Sequence, residues 1–173
     1  LLGLPNLIEK SLLIDNDIQA ISSTFNEAKG SMFLGRGFSY PIALEGALKL
    51  KELSYVHAEG YPAGEMKHGP LALIEDGMPV VVLAPRDNYY KKTISNMQEV
   101  IARGAKVLLI TNKSKDEIIS ENIWETIEVE NTNDDLLPFI LTVPLQKLAY
   151  YSALKKGYDI DKPRNLAKSV TVE

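Results

Sequence analysis

Short apolar runs alternate with longer amphipathic stretches along most of this chain. The runs that predict buried strands are 31–35, 78–85, 106–111 and 126–130, and residues 55–61 predict a further strand. Apolar residues spaced three to four apart predict helices over 14–28, 41–54, 88–103 and 136–156. Pro41 lies in the first turn of one predicted helix, and Gly104 and Gly157 follow the last turns of two others. Pro144 predicts a kink within the last helix.

The order of these elements predicts the fold class. Strands that are apolar throughout and alternate with helices are typical of a parallel sheet covered on both faces. We therefore expect an α/β fold of the flavodoxin-like kind, a three-layer α/β/α sandwich around a central parallel sheet of about five strands. Residues 1–157 are expected to form one domain. Residues 158–173, the C-terminal tail, mix Pro163, Leu166 and Ala167 with single polar groups, as a segment lying in a groove does.

Composition narrows the possible functions. The chain has 173 residues and a net charge of −4, which makes nucleic acid a poor first choice of partner. No apolar run approaches the roughly 20 residues of a membrane helix. The absence of cysteine removes disulfides, thiolate metal sites and a cysteine nucleophile, and it suits a reducing cytoplasm. A first residue of leucine rather than methionine suggests a fragment of a longer protein.

The predicted helix over 41–54 carries three charges on one face. Glu45, Lys49 and Glu52 are spaced i, i+4 and i+7, whereas apolar residues surround the rest of the helix. Taken alone, this pattern favours a solvated stripe with one Glu–Lys pair worth about 0.2–0.5 kcal/mol. The functional alternative is a site at the carboxyl edge of the sheet, faced by the early turns of this helix. Two carboxylates beside an ammonium would there supply a base of tuned pKa.

Two histidines and a glycine pair are further candidates for residues of a functional site. His68 lies between glycines in the segment AGEMKHGP, a predicted loop, whereas we interpret His57 as a partly buried residue satisfied by the backbone. A metal site built from His57, Glu59, Glu65 and His68 is disfavoured because the related zinc deaminase pattern also needs cysteines. Gly35-Arg36-Gly37 lacks the third glycine and the acidic residue of a dinucleotide site. We expect neither a metal nor an organic cofactor.

Three separated segments carry a family resemblance. They are LGRGFSYPIALEGALKLKE, HAEGYPAGEMKHGPLALIEDGMPV and DKPRNLAKSVTVE. Together they resemble the C-terminal part of the glutamine–fructose-6-phosphate aminotransferases, also called glucosamine-6-phosphate synthases. The resemblance runs from about Phe33 to the last residue. It implies that residues 1–157 are the second of two sugar isomerase (SIS) domains and that the tail is an active-site arm.

The resemblance also implies residue roles. The tail lysine, here Lys168, forms a Schiff base with the ketone of fructose 6-phosphate, and Ala167 beside it contacts substrate. Glu52 moves a proton between C1 and C2, with Lys49 next to it and Glu45 as a further substrate-binding residue. His68 assists sugar-ring opening from the neighbouring subunit, so a homodimer is expected. A carboxylate near the carbon and a partly deprotonated lysine are the groups that such chemistry needs.

Two departures from the family leave alternatives open. The Ser/Thr-rich loop that grips the sugar phosphate and the glutaminase domain that releases ammonia have no counterpart in this sequence. A non-catalytic sugar-phosphate-binding SIS module is one alternative, and a stand-alone phosphosugar isomerase is another. A sensor would not need Glu52, His68 and Lys168 together, and an isomerase would need the phosphate loop. We therefore expect this chain to be a fragment of the enzyme and to be inactive on its own.

Overall fold

A computed structural model describes residues 2–112, 114, 118 and 120–164. The strands are β1 (Ser31–Gly35), β2 (Ala58–Pro62), β3 (Pro79–Leu83), β4 (Lys106–Thr111) and β5 (Glu125–Glu128). The α-helices are α1 (Leu4–Ser11), α2 (Asp15–Glu27), α3 (Ser39–Ser54), α4 (Tyr90–Ile101) and α5 (Leu137–Lys155). Short 3₁₀ helices cover Leu12–Ile14, Ala63–His68 and Pro70–Leu73.

The strands form one parallel sheet in the order β2-β1-β3-β4-β5. Met32 pairs with Val80 between β1 and β3, and Ile110 pairs with Ile127 between β4 and β5. Since β2 lies on one side of β1 and β3–β5 lie on the other, the strand order reverses between β1 and β3. Parallel neighbours need crossover connections, and helices supply most of them here. The expected α/β fold with a five-stranded parallel sheet is confirmed.

Alternate residues of the strands contribute to two hydrophobic cores, one on each face of the sheet. Phe33, with its neighbours on the other strands, packs against α2, α3 and α5. Met32 and Leu34 point to the other face, where α4 and the 3₁₀ helix Ala63–His68 cover the sheet. Helices on both faces explain why β1, β3 and β4 are apolar almost throughout.

Several boundaries differ from the sequence predictions. β2 begins three residues later than expected, and α3 begins two residues earlier. α1 was not predicted, and α5 continues through Pro144 as one helix. Among the described residues, no helix combines the length and apolar character needed to cross a bilayer.

Candidate active site

Three charged side chains meet on one face of α3. Lys49 Nζ lies 2.5 Å from Glu52 Oε2 and 3.9 Å from Glu45 Oε1. The core-facing side of the helix is filled by Ala47 and Leu50, so the three charges are left on its outer surface. Their side chains are only 23–41% exposed, with Glu52 the least exposed. The predicted shared face is present; we call it the α3 charged face.

The pairing fixes the charge state of the lysine. The hydrogen bond with the Glu52 carboxylate raises the pKa of Lys49, and this effect outweighs the opposite effect of partial burial. Lys49 is therefore an ammonium at neutral pH. An imine forms only from a neutral amine, so Lys49 is suited to orienting Glu52 or a substrate oxygen rather than to attacking a carbonyl.

The α3 charged face extends towards the amino edge of the sheet. α3 follows the carboxyl end of β1 and runs back to the start of β2, so its last turn reaches the amino edge. Glu52 is in that last turn, and only Glu45 lies near the first half of the helix. The expectation that the early turns carry the site at the carboxyl edge is therefore wrong for Glu52. The reason is the length of α3, since its 16 residues carry the chain across the sheet.

The C-terminal tail starts beside this end of α3. α5 ends near the amino edge, where Lys156 Nζ donates a hydrogen bond to the Ser54 carbonyl oxygen at 3.0 Å. Further along, the backbone N–H of Arg164 donates to Tyr55 Oη at 2.7 Å. The described part of the tail thus returns to the residue that follows α3. Lys168 and Ala167, the two candidates in the tail, lie outside the described residues.

His68 lies far from the α3 charged face within one chain. It ends the 3₁₀ helix that follows β2, at the carboxyl edge of the sheet, and Met66 in the same helix packs into the core on the opposite face. Glu52 lies about 20 Å from the carboxyl edge, the length of 13 helical residues. The His68 side chain is 75% exposed, with Nε2 3.7 Å from Glu65 Oε2. The structure does not bring His68 and Glu52 together in one chain.

The interpretation of His57 as a partly buried residue is wrong. Its side chain is 70% exposed, and its Nε2 lies 3.8 Å from Glu59 Oε1. Tyr61 Oη donates a hydrogen bond to the same Glu59 carboxylate, and this bond raises the pKa of Tyr61. Glu59 and Tyr61 lie on β2, the edge strand of the sheet, where one side has no neighbouring strand to cover it.

The histidines and carboxylates considered for a metal form two separate pairs. His57 and Glu59 are at the amino end of β2, and Glu65 and His68 are beyond its carboxyl end. Over the part of the chain that the structure describes, no group of three His, Asp or Glu residues is placed to hold a metal ion. A cavity of about 480 Å³ also opens at the amino edge and includes His57 and Glu59 in its wall.

Sequence reasoning missed three residues near the tail. Tyr55 has a left-handed backbone, with φ 56°, and it contacts Tyr158 and Arg164. The usable signal was a tyrosine at a helix end where glycine is customary, but its partners are about a hundred residues away in the sequence.

Comparison with known proteins identifies the family. Residues 24–156 match the SIS domain. This chain belongs to the SIS domain family. The match covers β1 to the last turn of α5, which includes the α3 charged face and the 3₁₀ helix that ends at His68.

Individual relatives of this SIS domain are aminotransferases. The chain is 53% identical over 169 residues to the glutamine–fructose-6-phosphate aminotransferase of Bartonella henselae, and 53% identical over 171 residues to that of Bacteroides thetaiotaomicron. It covers 98–99% of its own length but only 28% of either relative. A solved C-terminal domain of glucosamine-fructose-6-phosphate aminotransferase from Francisella tularensis is 46% identical, with a TM-score of 0.87. The alignment covers 92% of this chain and 45% of that structure.

Proposed function

We propose that this SIS domain is the C-terminal isomerase part of a glutamine–fructose-6-phosphate aminotransferase. The parent reaction converts D-fructose 6-phosphate and L-glutamine to D-glucosamine 6-phosphate and L-glutamate. The observation that carries the proposal is the α3 charged face, with the start of the tail attached to the end of the same helix. The names of relatives about 50% identical along the chain support it.

We assign the chemistry to residues of α3 and the tail. Lys168 attacks the C2 ketone of open-chain fructose 6-phosphate, and the carbonyl oxygen leaves as water to give the imine. Ammonia released from glutamine then adds to C2 and displaces the Lys168 amine, which leaves the substrate imine free of the protein. Glu52 then carries a proton between C1 and C2, a step for which a positioned carboxylate is the required group. Lys49, held as an ammonium, orients Glu52, while Glu45 and Ala167 contact the substrate.

We propose that the complete site needs a second copy of the chain. His68 opens the sugar ring in the site of the neighbouring subunit, so the enzyme works as a homodimer. The separation of His68 from Glu52, on opposite edges and faces of the sheet, supports sharing between subunits. Symmetric dimers are also the commonest soluble oligomers.

Substrate anchoring and nitrogen supply belong to other parts of the longer protein in this proposal. The loop after β1 offers a phosphate only Arg36 and Ser39, and Arg36 Nη1 is already bonded to Asn96 Oδ1 at 3.0 Å. Remote phosphate binding energy helps to organise a reacting centre, so its loss lowers turnover as well as affinity. The isolated chain should therefore make no glucosamine 6-phosphate. We place the enzyme in the cytoplasm, at the entry to UDP-N-acetylglucosamine synthesis.

The test is substitution of the two carboxylates in the full-length protein that carries this chain. Glu52→Gln should leave the fold and the KM for fructose 6-phosphate almost unchanged and lower kcat by about 10²–10⁴-fold, the usual effect of losing a positioned base. Glu45→Gln should act mainly on KM.

Glu27→Gln is the matched control, because Glu27 is an exposed carboxylate that also ends a helix. It should retain full activity. Near-normal kcat in the Glu52→Gln variant would refute the proposed base and would leave Glu52 as part of a solvated stripe.

A further inference from the structure

The chain reverses direction where α5 ends. Gly157 has φ 71°, a left-handed value that suits glycine, and its N–H donates to the Leu154 carbonyl oxygen at 2.9 Å. The N–H of Tyr158 donates to the Ala153 carbonyl oxygen at 3.1 Å. This pair of bonds is a Schellman motif, which stops the helix and turns the next residues out of its axis. Tyr158 is thereby directed towards the end of α3.

A second turn brings the tail back to the same place. Asp159 Oδ1 accepts hydrogen bonds from the backbone N–H groups of Asp161 and Lys162, at 3.0 and 3.1 Å. An aspartate bonded in this way to the residues that follow it closes a tight turn. Arg164 therefore lies against the end of α3.

Both ends of this turn contact Tyr55. Its ring centroid lies 4.8 Å from that of Tyr158, and the Arg164 guanidinium carbon lies 4.1 Å from the Tyr55 centroid. The Arg164 N–H donates to Tyr55 Oη. We call Tyr55, Tyr158 and Arg164 the tyrosine clamp. A tilted aromatic pair, a cation over an aromatic face and a hydrogen bond each contribute to holding one segment on another.

The backbone at Tyr55 is unfavourable for a tyrosine. A left-handed conformation is uncommon for residues other than glycine, asparagine and aspartate, and a bulky residue in it is held there by its surroundings. Glycine would cap α3 without this strain. Helix capping alone would therefore favour glycine at position 55. The tyrosine ring that is present there contacts the tail.

We propose that Tyr55 is a positioning residue that seats the C-terminal tail so that Lys168 reaches the substrate beside Glu52. Tyr55 is three residues after Glu52, and Lys168 is four residues after Arg164. Four extended residues span at most about 14 Å, so the chain length from a clamped Arg164 allows Lys168 to reach the end of α3. This inference rests on the proposed function, because it gives Tyr55 a role only if Lys168 forms the imine.

The experiment measures imine formation in the full-length protein. Fructose 6-phosphate is supplied at saturation, sodium borohydride reduces any imine, and label on Lys168 is followed in time together with kcat and KM. Tyr55→Ala should slow labelling and lower kcat at least about tenfold, with KM changed less than about threefold, since it removes stacking and the hydrogen bond together. Tyr55→Phe retains the ring and should recover most of the loss.

Two further measurements separate positioning from folding. Arg164→Ala removes the stacking partner from the tail without altering α3, and it should slow labelling as well. Trypsin should cleave after Arg164 faster in Tyr55→Ala than in the unaltered protein, whereas Tyr150→Ala, at an exposed tyrosine of α5, should change neither rate.

The outcomes distinguish a failure of the proposed function from a failure of the proposed role of the tyrosine clamp. Absence of label on Lys168 in the unaltered protein would overturn the proposed function itself. Labelling of Lys168 at the unaltered rate in both Tyr55→Ala and Arg164→Ala would overturn the clamp alone. If Tyr55→Ala does not fold, Arg164→Ala decides, and an unaltered labelling rate in that variant would again reject the clamp.

Discussion

At the scale of single residues, Tyr151 couples the stability of this domain to pH. The hydrogen bond from its phenol to Asp15 raises the pKa of Tyr151 to about 12. A raised pKa in the folded state gives stability that is complete below the unfolded value of about 10 and is lost as the pH rises through about 12. Tyr151→Phe should therefore lower the unfolding free energy at neutral pH, and less at pH 12.

Chemical denaturation at several pH values between 8 and 12 checks this prediction. The quantity to compare is the difference between each variant and the unaltered chain, because other tyrosines and lysines titrate over the same range. Tyr89→Phe serves as the control, since among the described residues no carboxylate accepts a hydrogen bond from the Tyr89 phenol; only its backbone N–H donates to one, that of Asp87. A difference for Tyr151→Phe that stays constant across the pH range would contradict the assignment.

Single residues also show what the sequence could and could not predict. The shared face of Glu45, Lys49 and Glu52 followed from helix periodicity, which depends only on local spacing. The environments of His57 and Tyr55 depended on tertiary neighbours instead. His57 is exposed because β2 is an edge strand, and Tyr55 is covered by residues from the far end of the sequence.

At the scale of secondary-structure elements, Gly60 sets the distance between β2 and α3. A Cβ added at Gly60 would lie 2.9 Å from Leu44 Cα and 3.0 Å from Leu44 N, both backbone atoms that cannot rotate away. Gly60→Ala should therefore push α3 from the sheet and lower the unfolding free energy by about 1–3 kcal/mol, as overpacking does.

The control for this measurement is Gly3→Ala, because nothing lies within 4 Å of a Cβ added at Gly3. Urea denaturation of both variants gives the comparison. Equal stability of Gly60→Ala and the unaltered chain would contradict the close packing of α3 on β2.

The elements differ in how well they could be predicted. β1 and β4 have the predicted bounds, since both faces of each strand are buried and the apolar run is uninterrupted. β2 has the sequence AEGYP, in which only Ala58 is buried, and its start was misplaced by three residues. Apolar periodicity carries little information for such an edge strand.

At the scale of the whole molecule, the account requires that two chains share each site. Equal amounts of full-length Glu52→Gln and His68→Ala subunits, exchanged into mixed dimers, should regain about a quarter of the unaltered activity. Half of the dimers are mixed, and each mixed dimer has one intact site of two. Activity no higher than that of the two variants assayed separately would contradict a site shared between subunits.

Sequence alone could not reveal this arrangement. Glu52 and His68 are 16 residues apart, and such a spacing permits either contact or wide separation. The length of α3 and the direction of β2 determine this separation. α3 carries the chain to the amino edge, where Glu52 lies, and β2 then returns it to the carboxyl edge before His68. The partner's role stays a prediction from the resemblance, which the separation of these two residues within one chain supports.

The proposed function depends most on one step, the formation of an imine between Lys168, at the α3 charged face, and a ketose phosphate. The most direct measurement is reduction of the full-length protein with borohydride in the presence of fructose 6-phosphate, followed by peptide mapping of the modified lysine. We expect one added hexitol phosphate, on Lys168. Modification of Lys49, or of no lysine, would contradict it.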